Sequence, residues 1–164
     1  MNQILVTYYS LEGNTKLVAE VIADAIDADI LRLVPVKDVN PEKGSRYFWG
    51  GKQVLMRQKP ELEPFHVDPR EYQVHFIGTP VWAWRYAPAL RTFFHEIDLK
   101  GKKIAIFSTH DGGPGKTLAK MKEKLDGNTI IGEIEFYKPL ENMDSICRDA
   151  ITWASSILDG ARNP

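Results

Sequence analysis

Short apolar runs alternate with amphipathic segments along this chain, and that alternation constrains its fold more than any other feature. Ile4-Leu5-Val6-Thr7-Tyr8-Tyr9 is almost entirely β-branched, aromatic or aliphatic. Such a run reads as a strand buried on both faces. From about Thr15 the apolar residues Leu17, Val18, Val21, Ile22, Ala25 and Ile26 recur every three to four positions, one face of a helix. Ile30–Val34 reads as a second strand, Val74–Gly78 as a third, Lys103–Phe107 as a fourth and Thr129–Ile134 as a fifth. Helices are predicted from near Pro88, with Leu90, Phe93, Phe94 and Ile97 inward, over Gly115–Leu125, with Leu118, Met121 and Leu125 inward, and over Asp144–Leu158. Pro35, Pro41, Pro60, Pro64 and Pro69 bar a long helix from the region between the second and third strands. A short helix over Ser45–Met56, weakened by Gly50-Gly51, is expected there.

Strands alternating with helices imply a parallel sheet covered on both faces. Right-handed crossovers leave two strand orders, 2-1-3-4-5 and the Rossmann order. In either, a ligand sits beyond the carboxyl ends of the strands, where the order reverses. The 164 residues suit one domain, 1–164, with apolar residues at 43% and charged residues at 26%. A net charge of -1 gives no reason to expect nucleic acid or a membrane surface as partner. No run is long and apolar enough to span a bilayer. The lone Cys147 permits no intrachain disulfide, and it reads as a buried small apolar residue on the last helix. The chain enters its first strand without a signal-peptide pattern, so a cytoplasmic location is expected.

Three loops meet at the ligand end. The first is Ser10-Leu11-Glu12-Gly13-Asn14-Thr15, between the first strand and the first helix. Gly13 permits a turn, and the helix start offers backbone N–H groups and a positive dipole end. These residues serve equally as an N-cap and turn or as a phosphate cradle that needs no lysine or arginine. The second loop, Gly78 to Pro88, carries Trp82, Trp84 and Tyr86 among turn residues. Those rings either anchor the loop on the core or flank a flat ligand. The third, Ser108 to Gly115, has Gly112-Gly113, where a ligand can approach the backbone closely, and no Trp, Tyr or Phe between Ser108 and Lys116.

Taken together, the loops resemble those of the flavodoxin family. Ser-x-x-Gly-Asn-Thr directly after the first strand is similar to the family's FMN phosphate loop, and Pro80-Val81-Trp82 to the loop that embraces the flavin. The third loop resembles the family's segment on the flavin's other side. The resemblance implies a flavodoxin-like three-layer α/β sandwich with a five-stranded parallel sheet in the order 2-1-3-4-5. It also implies non-covalent FMN, held by Ser10, Leu11, Glu12, Gly13, Asn14 and Thr15, by Thr79, Pro80, Val81, Trp82 and Ala83, and by Thr109, His110, Asp111, Gly112 and Gly113. The family usually has a hydroxyl residue where this chain has Glu12, so Glu12 is expected to offer its N–H and turn its carboxylate to water. Many carriers of the family stack a tyrosine in the third loop; its absence predicts one open flavin face.

Rival motifs fail on spacing. Gly112 to Thr117 imitates a P-loop, but the position five residues before Gly115 is His110. No nicotinamide-type Gly-x-Gly-x-x-Gly follows the first strand. The strand-end carboxylates of a receiver domain are missing, and no cysteine stands in the first loop to act as a phosphatase nucleophile. His66, His75, His95 and His110 have no metal-ligand spacing. The lysines of the fourth predicted helix, Lys116, Lys120, Lys122 and Lys124, read as a solvated face. Tyr47-Phe48-Trp49 suits core cover, a dimer contact or a flavin lid. Two functions follow from the resemblance. One is low-potential electron transfer to redox partner proteins. The other is an FMN-dependent NAD(P)H:quinone-type oxidoreductase with a small planar acceptor. Either suits a monomer or a homodimer.

Overall fold

A computed structural model describes residues 3–38 and 58–162 of the chain. The elements are β1 (Ile4–Tyr8), α1 (Asn14–Ile26), β2 (Asp29–Arg32), a 3-10 turn (Pro69–Glu71), β3 (Val74–Trp82), β4 (Arg85–Tyr86) and α2 (Pro88–Glu96). They continue with β5 (Lys103–His110), α3 (Thr117–Lys124), β6 (Thr129–Tyr137), a second 3-10 turn (Pro139–Glu141) and α4 (Met143–Arg162). The main sheet runs β2-β1-β3-β5-β6, every pair parallel. Counted along the chain, those five strands stand in the order 2-1-3-4-5, the flavodoxin-like order.

Alternation along the central strands sorts two cores. Leu5, Leu31, Ile77, Ile104 and Ile106 face Leu90 and Phe93 of α2 and Leu118 and Met121 of α3. Val6, Tyr8, Phe76 and Phe107 face Val18 and Ile22 of α1 and Ala150 and Ala154 of α4. Both faces are therefore apolar, which is why β1 and the first part of β3 read as unbroken hydrophobic runs. Pro88 opens α2 at a position where its missing N–H costs nothing. A register shift at Ile104/Ala105 accommodates an extra residue in edge strand β6.

Three strands outrun their apolar segments. β3 continues past Gly78 to Trp82, β5 past Phe107 to His110, and β6 past Ile134 to Tyr137. Pairing persists through Thr79↔Ser108 and Pro80↔Thr109, although the side chains there are polar or small. The predicted second loop is thus in large part strand: β3 turns back after Trp82 and pairs antiparallel with β4, a sixth short strand. Helix bounds differ too: α3 begins at Thr117, and α4 extends to Arg162. Cys147 is partly exposed rather than buried. The expected helix over Ser45–Met56, and Tyr47-Phe48-Trp49 within it, lie outside the described residues. Among the described residues no helix is long and apolar enough to cross a membrane.

Candidate functional site

The carboxyl ends of β1, β3, β5 and β6 open into a cavity of about 480 Å3, within the roughly 300–1,000 Å3 typical of small-molecule and cofactor sites. Its first wall is Ser10, Leu11, Glu12, Asn14 and Thr15; the second is Pro80, Val81, Trp82 and Ala83; the third is Thr109, His110 and Asp111. A fourth wall, Lys138, Leu140 and Glu141, comes from the turn after β6. The fold thus brings all three predicted loops to one place. Gly13, Thr79, Gly112 and Gly113 are not on the lining.

Local geometry explains those four. Gly13 caps α1 with φ 103 and has Leu140 Cδ1 3.7 Å from where its Cβ would lie. Thr79 is buried and closes the base of the hairpin: its hydroxyl accepts from the Ala87 N–H at 3.0 Å and donates to the Pro80 carbonyl at 2.8 Å. Gly112 and Gly113 lie beyond the rim, where the Gly113 N–H donates to His110 Nδ1 at 3.2 Å.

The first wall is a set of braced side chains that keep hydrogens to donate. Ser10 Oγ accepts from the Gly13 N–H at 3.1 Å, and Asn14 Oδ1 accepts from the Leu140 N–H at 3.0 Å. The Ser10 hydroxyl hydrogen and the Asn14 NH2 remain. Thr15 and Thr109 share one hydrogen bond at 2.8 Å, buried between the first and third walls. The first N–H groups of α1 have no partner within the helix. This donor set at a helix N-terminus suits a phosphate. Glu12 is exposed on the cavity rim.

Two cations escaped the sequence reading. Arg32, at the end of β2, donates from Nη2 to the Ser10 carbonyl at 3.2 Å, so the phosphate-like loop does have a basic neighbour. Lys138 lies on the cavity wall, 3.2 Å from a Glu141 carboxylate oxygen. That hydrogen bond, reinforced by the Glu141 charge, pushes its ammonium pKa up. Neither has a local motif; a parallel neighbour strand and a left-handed residue (Lys138, φ 45) bring them in.

Among the described residues Trp82 is the one Trp, Tyr or Phe on the cavity lining. Its ring meets Tyr9 edge-on at 5.4 Å and 88°. The Tyr9 hydroxyl donates to Asp38 Oδ1 at 2.8 Å, and burial with the Asp38 charge pushes its phenol far above the ordinary range. Trp82 therefore rests on a fixed support. Tyr86 is buried under the hairpin and Trp84 points to solvent, so neither belongs to the wall. His110 is tilted at 50° to Tyr137, 5.7 Å between centroids. Among the described residues no group of His, Cys, Asp and Glu is placed to hold a metal.

This chain belongs to the flavodoxin family: the family model described as Flavodoxin matches residues 3–144. A flavoprotein from Lactobacillus acidophilus NCFM, solved in complex with FMN, has a TM-score of 0.70 and 24% identity over 82% of this chain and 93% of its own. Oxidised Flavodoxin 2 from Bacillus cereus has a TM-score of 0.62 and 18% identity over 96% of this chain and 99% of its own. A flavodoxin from the domain Archaea has a TM-score of 0.54 at 17% identity, over 94% and 97%. These likenesses show the flavodoxin-like α/β fold. No curated protein matches the chain.

Proposed function

We propose that the cavity binds one FMN non-covalently and that the protein carries electrons through it. The observation that supports this most is the convergence of a donor-rich helix N-terminus and a supported tryptophan on one cavity. Bound FMN would supply one- and two-electron redox chemistry. Ser10, Asn14, Thr15 and the α1 N–H groups hold the phosphate. Arg32 draws on the Ser10 carbonyl and fixes the loop. Pro80, Val81 and Trp82 give the ring an apolar wall that excludes water. Nothing in this scheme requires a protein nucleophile.

FMN should bind more tightly than riboflavin, which lacks the phosphate. Asn14→Ala or Thr15→Ala should weaken FMN binding by about 1–3 kcal/mol, the scale of a hydrogen bond to a charged group. Riboflavin affinity should hardly change. Quenching of flavin emission on titration measures all of these. Equal affinities for FMN and riboflavin in the wild type rule the phosphate cradle out.

A second reading, an NAD(P)H:quinone-type oxidoreductase, draws on the third wall. Among the described residues Thr109, His110 and Asp111 stand there without a Trp, Tyr or Phe, an arrangement that suits a planar molecule beside the flavin. On this reading a small quinone reoxidises the reduced protein directly, and His110→Tyr slows that step while FMN stays bound. Stopped-flow oxidation at the same speed in both proteins removes the support for an open face.

A further inference from the structure

We propose that Trp82, Tyr9 and Asp38 form a relay that carries an oxidising equivalent from the cavity to the surface, with the electron passing between the two rings and the proton to the carboxylate. The proposal rests on the FMN reading only for the identity of the oxidant in the cavity. Trp82 lines the cavity. Its ring meets the Tyr9 ring edge-on with 5.4 Å between centroids, which is direct contact. Among the described residues this is the one contact between a tryptophan ring and a tyrosine ring; Trp153 meets Phe76 and Phe107 instead. Tyr9 is buried, and its hydroxyl donates to Asp38 Oδ1 at 2.8 Å. Asp38 is exposed. The three side chains thus run from the cavity wall to solvent.

A support for Trp82 needs the ring of Tyr9 and not its hydroxyl. Phenylalanine supplies the same edge without a buried polar atom that must find a partner. This chain keeps the hydroxyl and aims its one hydrogen at a carboxylate. That pairing suits a redox role. At rest, burial, the Asp38 charge and the hydrogen bond, opposed by the Arg32 charge, push the phenol far above its ordinary range, so the proton stays on oxygen. A phenol that loses an electron becomes a strong acid, and its proton leaves with the electron when a base is within hydrogen-bond reach. A phenol that loses both together is oxidised more easily than an indole, which sets the direction from Trp82 to Tyr9. A crevice of about 10 Å3, lined by Tyr9, Lys37, Asp38 and Trp82 between Pro35 and Pro60, is room for about one water molecule to take the proton onward.

The electrons and protons balance without any further group. Trp82 gives one electron to a one-electron oxidant seated in the cavity, for FMN its light-excited oxidised form, and is left as an indole radical cation. Tyr9 then gives one electron to that indole and its proton to Asp38. The phenolic O–H bond breaks, a carboxylic O–H bond forms, the indole is restored and a neutral phenoxyl radical remains. A soluble reductant such as a thiolate returns one electron to the phenoxyl, and Asp38 hands the proton back. The relay thereby removes an oxidising indole from the cavity wall.

The test is pulse radiolysis of the apoprotein, in which azide radicals oxidise tryptophan one electron at a time. Trp49→Phe and Trp84→Phe are made first, so that Trp82 and Trp153 are the indoles left in this parent. The tryptophan-radical absorption should decay as the tyrosyl-radical absorption grows, at a rate independent of protein concentration. Tyr9→Phe or Trp82→Phe should abolish that phase. Asp38→Asn keeps an oxygen to accept the hydrogen bond but cannot hold the proton, and it should slow the phase about tenfold. It changes an exposed side chain, so its rate is read in folded protein. Heavy water should slow the parent, because a proton moves with the electron. None of these readouts needs flavin, so a failure of FMN to bind overturns the cofactor reading and not the relay. A parent without the intramolecular phase overturns the relay. So does a Tyr9→Phe or Asp38→Asn variant that keeps the parent's rate, or a parent indifferent to heavy water.

Discussion

Alanine at Gly78 is expected to destabilise the protein by about 3 kcal/mol, the upper end of what an extra methyl costs in a packed core. Gly78 and Phe107 are register partners on adjacent parallel strands. A Cβ at Gly78 would lie 2.1, 2.3 and 2.8 Å from three carbons of the Phe107 ring. The ring lies across the glycine and cannot step aside. It is fully buried, edge-on to Phe136 at 6.4 Å and to Trp153 at 6.4 Å. Phe107→Ala should cost about 3–5 kcal/mol by leaving a cavity. Gly78→Ala in a Phe107→Leu background should cost clearly less than in the wild type, because the smaller side chain yields space. Urea unfolding of the two singles and the double closes the cycle. A Gly78→Ala cost under about 0.5 kcal/mol, or strict additivity, would show that the ring is free to move.

Acid should weaken the fold through His75. Its side chain is fully buried. Nε2–H donates to the Tyr72 carbonyl at 3.3 Å, and Nδ1 has no partner to receive a second proton's charge. Burial, helped by the positive Lys102 and opposed by the Tyr72 carbonyl, lowers the pKa to about 4 from 6.5. Between those values the unfolded chain takes up a proton that the folded chain refuses. Stability is therefore complete above pH 6.5 and falls with falling pH, by up to about 1.4 kcal/mol per pH unit. The loss totals about 3 kcal/mol by pH 4, below which this group adds nothing more. His75→Phe should remove that slope whatever it does to stability at neutral pH. Urea midpoints from pH 4 to pH 8 measure it, and an equal slope in the variant would assign the acid sensitivity elsewhere.

The two-sided core was legible because period and composition agree at every central strand; the strand order was legible only through the resemblance of the loops, since right-handed crossovers left two orders open. Leu90, Phe93, Leu118 and Met121 are buried where the helical spacing put them. The ligand end was half legible. Twelve of the sixteen predicted site residues line the cavity because loops after parallel strands converge at a switch point. The strand ends were hidden because Thr79, Ser108 and Thr109 pair like strand residues but look like loop residues. The hairpin was invisible because Ala83-Trp84 is not a sequence that announces a type I′ turn. Arg32 and Lys138 reach the site from other strands, and no local motif marks such arrivals.

The Thr15–Thr109 pair has a consequence for whatever enters the cavity. Two hydroxyls joined at 2.8 Å hold two hydrogens, and one of them is spent on the bond itself. When Thr15 offers its hydrogen to a ligand, Thr109 must point its own at Thr15, and the reverse holds as well. The two neighbouring hydroxyls therefore alternate in what they can give. A guest with acceptors at both positions is served at one only, and reversing the choice takes two O–H rotations without moving a heavy atom. The pocket thereby sorts guests by where they place a single lone pair.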